Sequence, residues 1–262
     1  MNFGLKDRVA IVTGASRGIG LACASALAAE GARVLLVSRD YTALTASANQ
    51  IEQRGGIAAA LAGDVSDVTL PDAVLNKAMD LWGRVDILVN NSGGPPMGTF
   101  LEIDSSTWER VIQANLLGAI RFAQAVAPLM KARRWGRIVT VSSTVAKEPS
   151  PAMVLSATTR AAIAAFTKAI SVELAPFNVC ANVVCPGGVL TDRLRGLLKT
   201  RAARESIDYQ KLLDDSQASI PVQRFASPEE LANVIVFLCS ELSSYVTGVN
   251  LSVDGGLTKG FT

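Results

Sequence analysis

Short apolar runs alternate with helix-length segments along the whole chain. The runs are rich in valine, isoleucine and leucine and contain few polar residues, as expected for strands that are covered on both faces. They lie at 9–13, 33–38, 58–62, 86–90, 137–141, 179–184 and 250–253. The helix-length segments are 19–30, 41–54, 69–82, 106–132, 153–176 and 228–240. Crossovers of this length predict an α/β fold, a doubly wound parallel sheet of about seven strands with helices on both faces.

One segment departs from this alternation. Residues from about 190 to 225 lie between the sixth and seventh strands and are longer than an ordinary connection. They carry a basic face, and an insertion after the carboxyl end of a strand often closes over a ligand. We interpret the segment as a substrate lid, with a solvated pair of surface helices as the alternative. No repeat or linker divides residues 1–262, which are therefore predicted to form a single domain.

The first strand runs into a glycine-rich turn that leads directly into an alanine-rich helix. Glycine lacks a Cβ atom, so it permits a tight turn and the close approach of another molecule. The unpaired N–H groups and the positive dipole at a helix N-terminus suit a phosphate group. The residues predicted to form this site are Gly14, Ser16, Arg17, Gly18, Ile19 and Gly20.

Composition excludes several classes of function. A net charge of +2 is too small to indicate a nucleic-acid or membrane surface, and no apolar stretch is long enough for a transmembrane helix. The four cysteines include no Cys-x-x-Cys pair, so buried thiols are expected instead of disulfides or a metal site. The chain has no histidine, which excludes a Ser-His-Asp triad and histidine metal ligands. We expect a cytoplasmic protein.

Further motifs follow the carboxyl ends of the other strands. They are Gly63-Asp64-Val65, Asn90-Asn91-Ser92-Gly93, Ser142-Ser143, Pro186-Gly187-Gly188-Val189-Leu190-Thr191 and Val253-Asp254-Gly255-Gly256, with Asn115 on the helix after the fourth strand. Taken in order with the glycine turn, they resemble the motifs of the short-chain dehydrogenase/reductase family over essentially the whole chain. Each glycine motif alone could be an ordinary turn. Their position at the strand ends is where an open α/β sheet binds ligands.

The resemblance implies a Rossmann-type dinucleotide-binding domain, an oxidoreductase that acts on a small carbonyl or alcohol, and a homotetramer or homodimer. It also implies cofactor contacts beyond the glycine turn. These are at Asp64, Val65, Asn91, Gly93, Pro186, Gly187, Val189 and Thr191. The basic lid favours an acidic or acyl-carrier-linked substrate.

The end of the second strand indicates which cofactor binds. Enzymes that prefer NAD place an acid there, which accepts hydrogen bonds from the ribose hydroxyls. Here the position is Ser38, followed by Arg39, and Arg17 lies in the glycine turn. Guanidinium groups bind a 2′-phosphate through charge-assisted hydrogen bonds, so NADP is predicted over NAD. The alternative is that both arginines are solvated surface charges.

The reaction centre departs from the family pattern. The family uses a serine, a Tyr-x-x-x-Lys pair and the helical asparagine. Aligned on Ser143, this chain has Ser156 in place of the tyrosine and Arg160 in place of the lysine. We predict Asn115, Ser143, Ser156 and Arg160 as the catalytic residues, with Arg160 also holding the nicotinamide ribose.

These replacements predict an atypical proton pathway. A serine hydroxyl is far less acidic than that of tyrosine, and arginine stays protonated, so neither relays a proton as the family pair does. Lys147, Tyr209 or an ordered water could supply the proton, although ordinary surface roles suit both side chains. The main hypothesis is NADP-dependent hydride transfer. The alternatives are an NADP-binding sensor or assembly subunit without turnover, and a non-redox step with NADP as a structural ligand.

Overall fold

All seven predicted strands lie in one parallel sheet in the computed structural model, which describes residues 2–260. The strands are β1 (Val9–Thr13), β2 (Arg33–Ser38), β3 (Ile57–Ala62), β4 (Ile87–Asn90), β5 (Gly136–Val141), β6 (Val179–Pro186) and β7 (Asn250–Val253). Their order is β3-β2-β1-β4-β5-β6-β7, and every neighbouring pair is parallel. The chain therefore reverses its direction of winding between β1 and β4. That reversal opens a crevice at the carboxyl ends of the strands.

Helices cover both faces of the sheet, which confirms the predicted fold class. They are α1 (Gly18–Ala29), α2 (Tyr41–Gln53), α3 (Leu70–Trp82), α4 (Ser105–Val111), α5 (Gly118–Arg133), α6 (Val154–Leu174), α7 (Asp192–Glu205), α8 (Tyr209–Ala218) and α9 (Pro228–Cys239). Alternate residues of β1 enter two separate cores. Ala10 and Val12 pack towards α1, α2 and α9, whereas Val9 and Ile11 pack towards α3, α5 and α6. This double coverage explains why the strands are apolar throughout.

The helix predicted over residues 106–132 is confirmed. It runs without a gap from α4 through a π-helical turn at Ile112–Leu117 into α5. Just after this turn Gly118 packs against the main chain, since a Cβ there would lie 2.6 Å from the Val65 carbonyl oxygen. The apolar pattern could not reveal the π-helical turn, because one extra residue in a helical turn barely changes the hydrophobic period.

The segment between β6 and β7 contains α7 and α8. Leu198, Ala202 and Leu212 form a small apolar cluster of their own, and Tyr209 packs against it. That packing holds Tyr209 within the segment between β6 and β7. It therefore does not support the suggestion that Tyr209 donates a proton to the substrate. Thr191 caps the start of α7 by accepting a hydrogen bond from the Leu194 N–H at 3.3 Å. Between residues 2 and 260, no helix is long and apolar enough to cross a lipid bilayer.

Candidate active site

The glycine turn after β1 is shaped mainly by its own packing. Gly14 and Gly18 have φ values of 58° and 57°, in the left-handed region that favours glycine. A Cβ at Gly14 would lie 2.6 Å from the Asn91 carbonyl oxygen, and one at Gly20 would lie 2.2 Å from the Gly14 carbonyl oxygen. These two glycines are therefore required by the chain itself. Of the two roles predicted for the glycines, a tight turn and room for another molecule, the packing accounts for the first at Gly14 and Gly20.

The N-terminus of α1 nevertheless fits a phosphate group. Arg17 is its N-cap residue and makes no side-chain capping bond, so the first-turn N–H groups are left without a side-chain acceptor. Gly18 faces Thr191 across the crevice, where a Cβ would lie 3.3 Å from Thr191 Cγ2. Ser16 supports the turn, since its carbonyl oxygen accepts a hydrogen bond from Ser47 at 3.1 Å. The turn thus presents donors for a pyrophosphate, as predicted for this position.

The end of β2 carries a buried hydroxyl group that suits a ribose or its phosphate. Ser38 Oγ is buried and has no hydrogen-bond partner in the described part of the chain. Arg39 is largely exposed, with Nη1 3.7 Å from Asp64 Oδ2. Asp64 also accepts hydrogen bonds from the Ser66 N–H and hydroxyl, and the N–H contact is the main reason that the pKa of Asp64 is lowered. Arg17 is exposed as well. The two arginines are free to reach a phosphate group from solvent.

Two asparagines position the loop after β4. The side-chain amide of Asn91 donates to the carbonyl oxygens of Thr13 (3.4 Å) and Gly14 (3.2 Å), which ties the ends of β1 and β4 together. The buried amide of Asn115, in the π-helical turn, donates to the Gly93 carbonyl oxygen at 2.7 Å. It also donates to Ser92 Oγ at 2.9 Å. Ser92 was not among the predicted site residues, because a serine in a loop motif gives no sequence signal of such a partner.

The loop after β5 and the start of α6 hold the predicted catalytic serines. Ser143 is the N-cap of a short 3₁₀ turn, Thr144–Ala146, and Val145 N donates to its Oγ at 3.4 Å. Ser156 is buried in the first turn of α6, one helical turn before Arg160. Lys147, which the sequence suggested as a possible proton donor, is half-buried in this loop.

Arg160 is buried, and its guanidinium group points back beneath the end of β5. Nη1 donates to the main-chain carbonyl of Val141, while Nε is buried and has no partner among residues 2–260. Burial and, to a smaller extent, the positive charge of Arg193 lower the pKa of Arg160 to about 10. The group is still charged at neutral pH. It lines a narrow cavity at the ends of β1, β4 and β5 together with Val65, Asn91 and Asn115.

The loop after β6 contains the remaining predicted cofactor residues. Pro186 ends β6, and Val189 forms a parallel bridge with Ala226. A Cβ at Gly187 would lie 2.8 Å from Cβ of Asp254, so this glycine is required for packing against the segment after β7. The adjoining Thr191 brings the loop back to the glycine turn. The loop therefore forms the wall of the crevice opposite α1.

Sequence reasoning missed the position of Arg193, which it counted only as part of a basic face. Arg193 lies in the first turn of α7, and its Nη2 donates to the Pro95 carbonyl oxygen at 2.8 Å. The guanidinium group rests against Gly94, where a Cβ would lie 2.7 Å from Nη2. The pKa of Arg193 is lowered by burial. No sequence signal links residues this far apart; the only local signal was an arginine two residues after the threonine that caps α7.

The fold and these strand-end motifs match known proteins. The family model described as enoyl-(acyl carrier protein) reductase matches residues 14–258. A curated relative, 3-oxoacyl-[acyl-carrier-protein] reductase of Aquifex aeolicus, is 39% identical over 261 residues, which is 98% of this chain and 100% of the relative. The chain belongs to the short-chain dehydrogenase/reductase family. The predicted family and the prediction of an enzyme of the oxidoreductase class are thereby confirmed.

Solved structures of this family have the same architecture. L-sorbose reductase from Gluconobacter frateurii, solved with NADPH and L-sorbose, superposes with a TM-score of 0.95 at 35% identity and covers 100% of both chains. A variant of actinorhodin polyketide ketoreductase, solved with NADPH, has a TM-score of 0.94 at 31% identity. That match covers 97% of this chain and 98% of the ketoreductase. The short-chain dehydrogenase/reductase fold therefore extends over essentially the whole chain.

Proposed function

We propose that this chain is an NADPH-dependent reductase of small carbonyl compounds in which Arg160 and solvent replace the tyrosine and lysine of its family. The observation that carries the proposal is the position of Arg160. Its buried cation lines the same cavity at the strand ends as Asn91 and Asn115. In an open α/β sheet, ligands bind in the crevice just outside these strand ends.

The prediction of NADP as cofactor is confirmed by the family's solved structures, two of which contain NADPH. The oxidoreductase prediction is likewise confirmed, since these neighbours are reductases and the curated relative is a 3-oxoacyl reductase. None of the relatives reported above is named as a sensor or a scaffold. The non-redox alternatives therefore gain no support.

The residues that would hold the cofactor follow from the geometry. The uncapped first turn of α1 would bind the pyrophosphate, and Ser38 Oγ with Arg17 and Arg39 would bind the 2′-phosphate. Thr191 would contact the cofactor from the opposite wall. NADPH supplies a hydride when bound. Asn115 acts indirectly, since its amide already holds the Gly93 carbonyl and thereby fixes the loop beneath the reacting centre.

The same geometry suggests how the charge on the substrate oxygen is stabilised. Ser143 and Ser156 would donate hydrogen bonds to that oxygen from the two sides of the β5–α6 connection. Arg160 stays charged, so it stabilises negative charge developing nearby but does not give up a proton. The cavity that it lines has room for about one water molecule, so we assign the proton to solvent. A positioned side-chain acid with a tuned pKa accelerates a reaction by about 10²–10⁴. Because solvent takes its place here, turnover should be slow.

A direct test combines binding and turnover. NADPH and NADH are titrated by fluorescence, and the absorbance at 340 nm is followed with a panel of ketones, aldehydes and alcohols. We expect NADPH to bind more tightly and to be oxidised slowly by at least one carbonyl compound. Tight NADPH binding without turnover on any member of the panel would contradict the proposed function.

A double variant tests the atypical proton pathway. Ser156→Tyr with Arg160→Lys restores the family pair on the same helix face. We expect carbonyl reduction to rise by about 10²-fold or more, because a positioned acid replaces solvent as the proton donor. Ser156→Phe with Arg160→Lys is the matched control, since it adds the ring but no hydroxyl. An equal gain in both variants would show that the hydroxyl is not the cause.

We further propose that the chain is a single domain with a mobile lid at residues 190–225, and that it assembles as a homodimer or homotetramer. β7 is an edge strand that pairs only with β6 in the described sheet, and Leu251 on it is exposed. Phe237 on α9 and Tyr245 before β7 are exposed as well, the latter completely. A second copy would cover these apolar side chains. Light scattering tests this, with Leu251→Lys expected to weaken assembly.

The proposed compartment is the cytoplasm. All four cysteines are buried and none forms a disulfide. Free thiols are typical of proteins in a reducing environment. Fractionation of cells that express the protein would test this assignment.

A further inference from the structure

Two arginine side chains at the crevice have no acidic partner in the described part of the chain. Between residues 2 and 260, neither Arg160 nor Arg193 forms an ion pair, although other arginines do. Their recorded hydrogen-bond acceptors are main-chain carbonyls, Val141 for Arg160 and Pro95 for Arg193. Arg160 is buried, and a buried charge is normally paired, whereas Arg193 is exposed on α7. Arg193 is therefore the cation of the two that an anion from solvent can reach.

The two cations also act on each other. The charge of Arg193 is the second cause, after burial, that lowers the pKa of Arg160. Like charges that approach in a partly dry crevice repel each other, and an anion near both relieves the repulsion. In the described chain the Arg193 side chain donates only from Nη2, so its other N–H groups are available for a planar anion such as a carboxylate. The Nε–H of Arg160 is buried, so Arg160 contributes its charge and not a direct contact.

We propose that Arg193 binds a carboxylate of the substrate, with the charge of Arg160 assisting, so that the preferred substrates are oxo acids. This inference rests on the proposed function and specifies its substrate class. Arg193 approaches the crevice from α7 and lies on Gly94 and Pro95, just beyond the loop that Asn115 holds. An oxo acid bound there would place its carbonyl towards the ends of β4 and β5 and its carboxylate towards the lid.

The pyrophosphate of the cofactor is the other anion that could meet Arg193, because Thr191 lies close by and faces Gly18. We favour the substrate, since the guanidinium group of Arg193 contacts Gly94 and Pro95 in the loop after β4. The two sources differ in what they predict. A cofactor contact affects NADPH affinity with every substrate, whereas a substrate contact affects only substrates that carry a negative charge.

The test uses three oxo acids, each compared with its methyl ester: pyruvate, acetoacetate and levulinate. The enzyme is first saturated with NADPH. Binding is then measured by the quenching of NADPH fluorescence, and turnover is measured at 340 nm. We expect at least one acid to bind about 10- to 100-fold more tightly than its ester, which is the range for hydrogen bonds to a charged group.

Variants assign this preference to Arg193. Arg193→Gln should remove most of the preference for the acid and leave NADPH affinity unchanged, while Arg193→Lys should retain part of it. Gly94→Ala should resemble Arg193→Gln, because its Cβ would lie within 2.7 Å of Nη2 and displace the guanidinium group. Arg195→Gln is the control, because Arg195 is exposed on the same helix as Arg193 but its side chain forms no hydrogen bond or ion pair in the described chain.

Each outcome separates the inference from the function on which it rests. Equal binding of acid and ester, or a preference that survives Arg193→Gln, overturns the inference even if ketones are reduced. If Arg193→Gln binds NADPH more weakly and affects all substrates alike, Arg193 contacts the cofactor. That result also overturns the inference. Selective binding of an acid without turnover supports the anion site and contradicts the proposed reductase instead.

Discussion

The buried guanidinium group of Arg160 donates from Nη1 to the main-chain carbonyl of Val141. This contact joins α6 to the end of β5 and aims the cation beneath the strand end. A lysine here would present one compact ammonium group, whereas arginine binds the strand and still keeps a second buried donor, Nε, available. Arg160 is therefore a buried charge that the fold only partly satisfies, as expected for a group placed for function.

Arg160→Met should separate stability from activity. Removing a buried, incompletely paired charge is expected to leave the free energy of unfolding unchanged or to raise it by about 1–2 kcal/mol. Turnover should fall about 100-fold, because charge on the substrate oxygen is no longer stabilised. Urea unfolding and steady-state kinetics measure the two effects.

Arg137→Met provides the contrast for Arg160→Met. Arg137 is equally buried, but it donates to three main-chain carbonyls, those of Ser240 (3.0 Å), Gly136 (2.8 Å) and Asn178 (3.2 Å). Arg137→Met should lower the free energy of unfolding by about 3 kcal/mol or more, because the buried carbonyl acceptors lose their hydrogen-bond donor. If Arg160→Met destabilised the protein as much as Arg137→Met, Arg160 would be a structural residue.

Ser38→Asp should reverse the cofactor preference. A carboxylate at this buried position would repel a 2′-phosphate but accept hydrogen bonds from an unmodified ribose. We expect the Kd for NADPH to rise about 100-fold and that for NADH to fall or stay constant. Fluorescence titration measures both.

Arg39→Ala separates the contribution of the guanidinium group from that of Ser38. Arg39 is largely exposed and lies 3.7 Å from Asp64, so its ion pair adds little to stability. The variant should weaken NADPH binding about 10-fold and leave NADH binding and the midpoint of unfolding unchanged. An equal loss of affinity for both cofactors would mean that Arg39 contacts a group that NADPH and NADH share, and not the 2′-phosphate.

Asn115→Asp distinguishes two roles for the asparagine. The structure uses its amide to hold Gly93 and Ser92, and a carboxylate would face the Gly93 carbonyl oxygen at 2.7 Å without a donor. We expect a loss of about 2 kcal/mol in the free energy of unfolding and weaker NADPH binding. If Asn115 instead contacted the substrate, turnover would fall while stability and NADPH binding stayed at wild-type values.

Glu230→Gln tests a pH-dependent contribution at the start of α9. Glu230 accepts hydrogen bonds from Arg224 and from the Ser227 N–H, and these lower its pKa to about 2, the Arg224 contact being the larger cause. A lowered carboxyl pKa adds stability that is present above the unfolded value of about 4.3 and is lost as the pH falls through about 2. Glutamine can still cap the helix, so the variant removes only the charge.

Unfolding of the two proteins at several pH values measures this contribution. The wild type should be more stable than Glu230→Gln at pH 7, and the difference should shrink below about pH 4 and vanish near pH 2. A difference that stayed constant over this range would show that packing, and not the carboxylate charge, is responsible.

The sequence by itself determined the sheet, its parallel strands and the edge at which a ligand binds. Apolar runs such as Val9–Thr13 are buried on both faces, so their composition alone requires helices above and below. The glycine turn, the asparagines after β4 and the serines after β5 each follow a strand end. Each of these motifs can be recognised from the sequence because all its residues lie in one short segment.

Tertiary structure decided what these residues do there. A tight turn explains Gly20, whose Cβ would meet the Gly14 carbonyl in the same turn, but Gly14 is also required by the Asn91 carbonyl, a contact that forms only when β1 and β4 pair. Arg193 reaches Pro95 across 98 residues of chain. Neither the spacing nor the composition of a segment encodes such a contact, because it depends on how separate elements pack. The partners of Arg160, and hence its charge without a counter-ion, come from that packing alone.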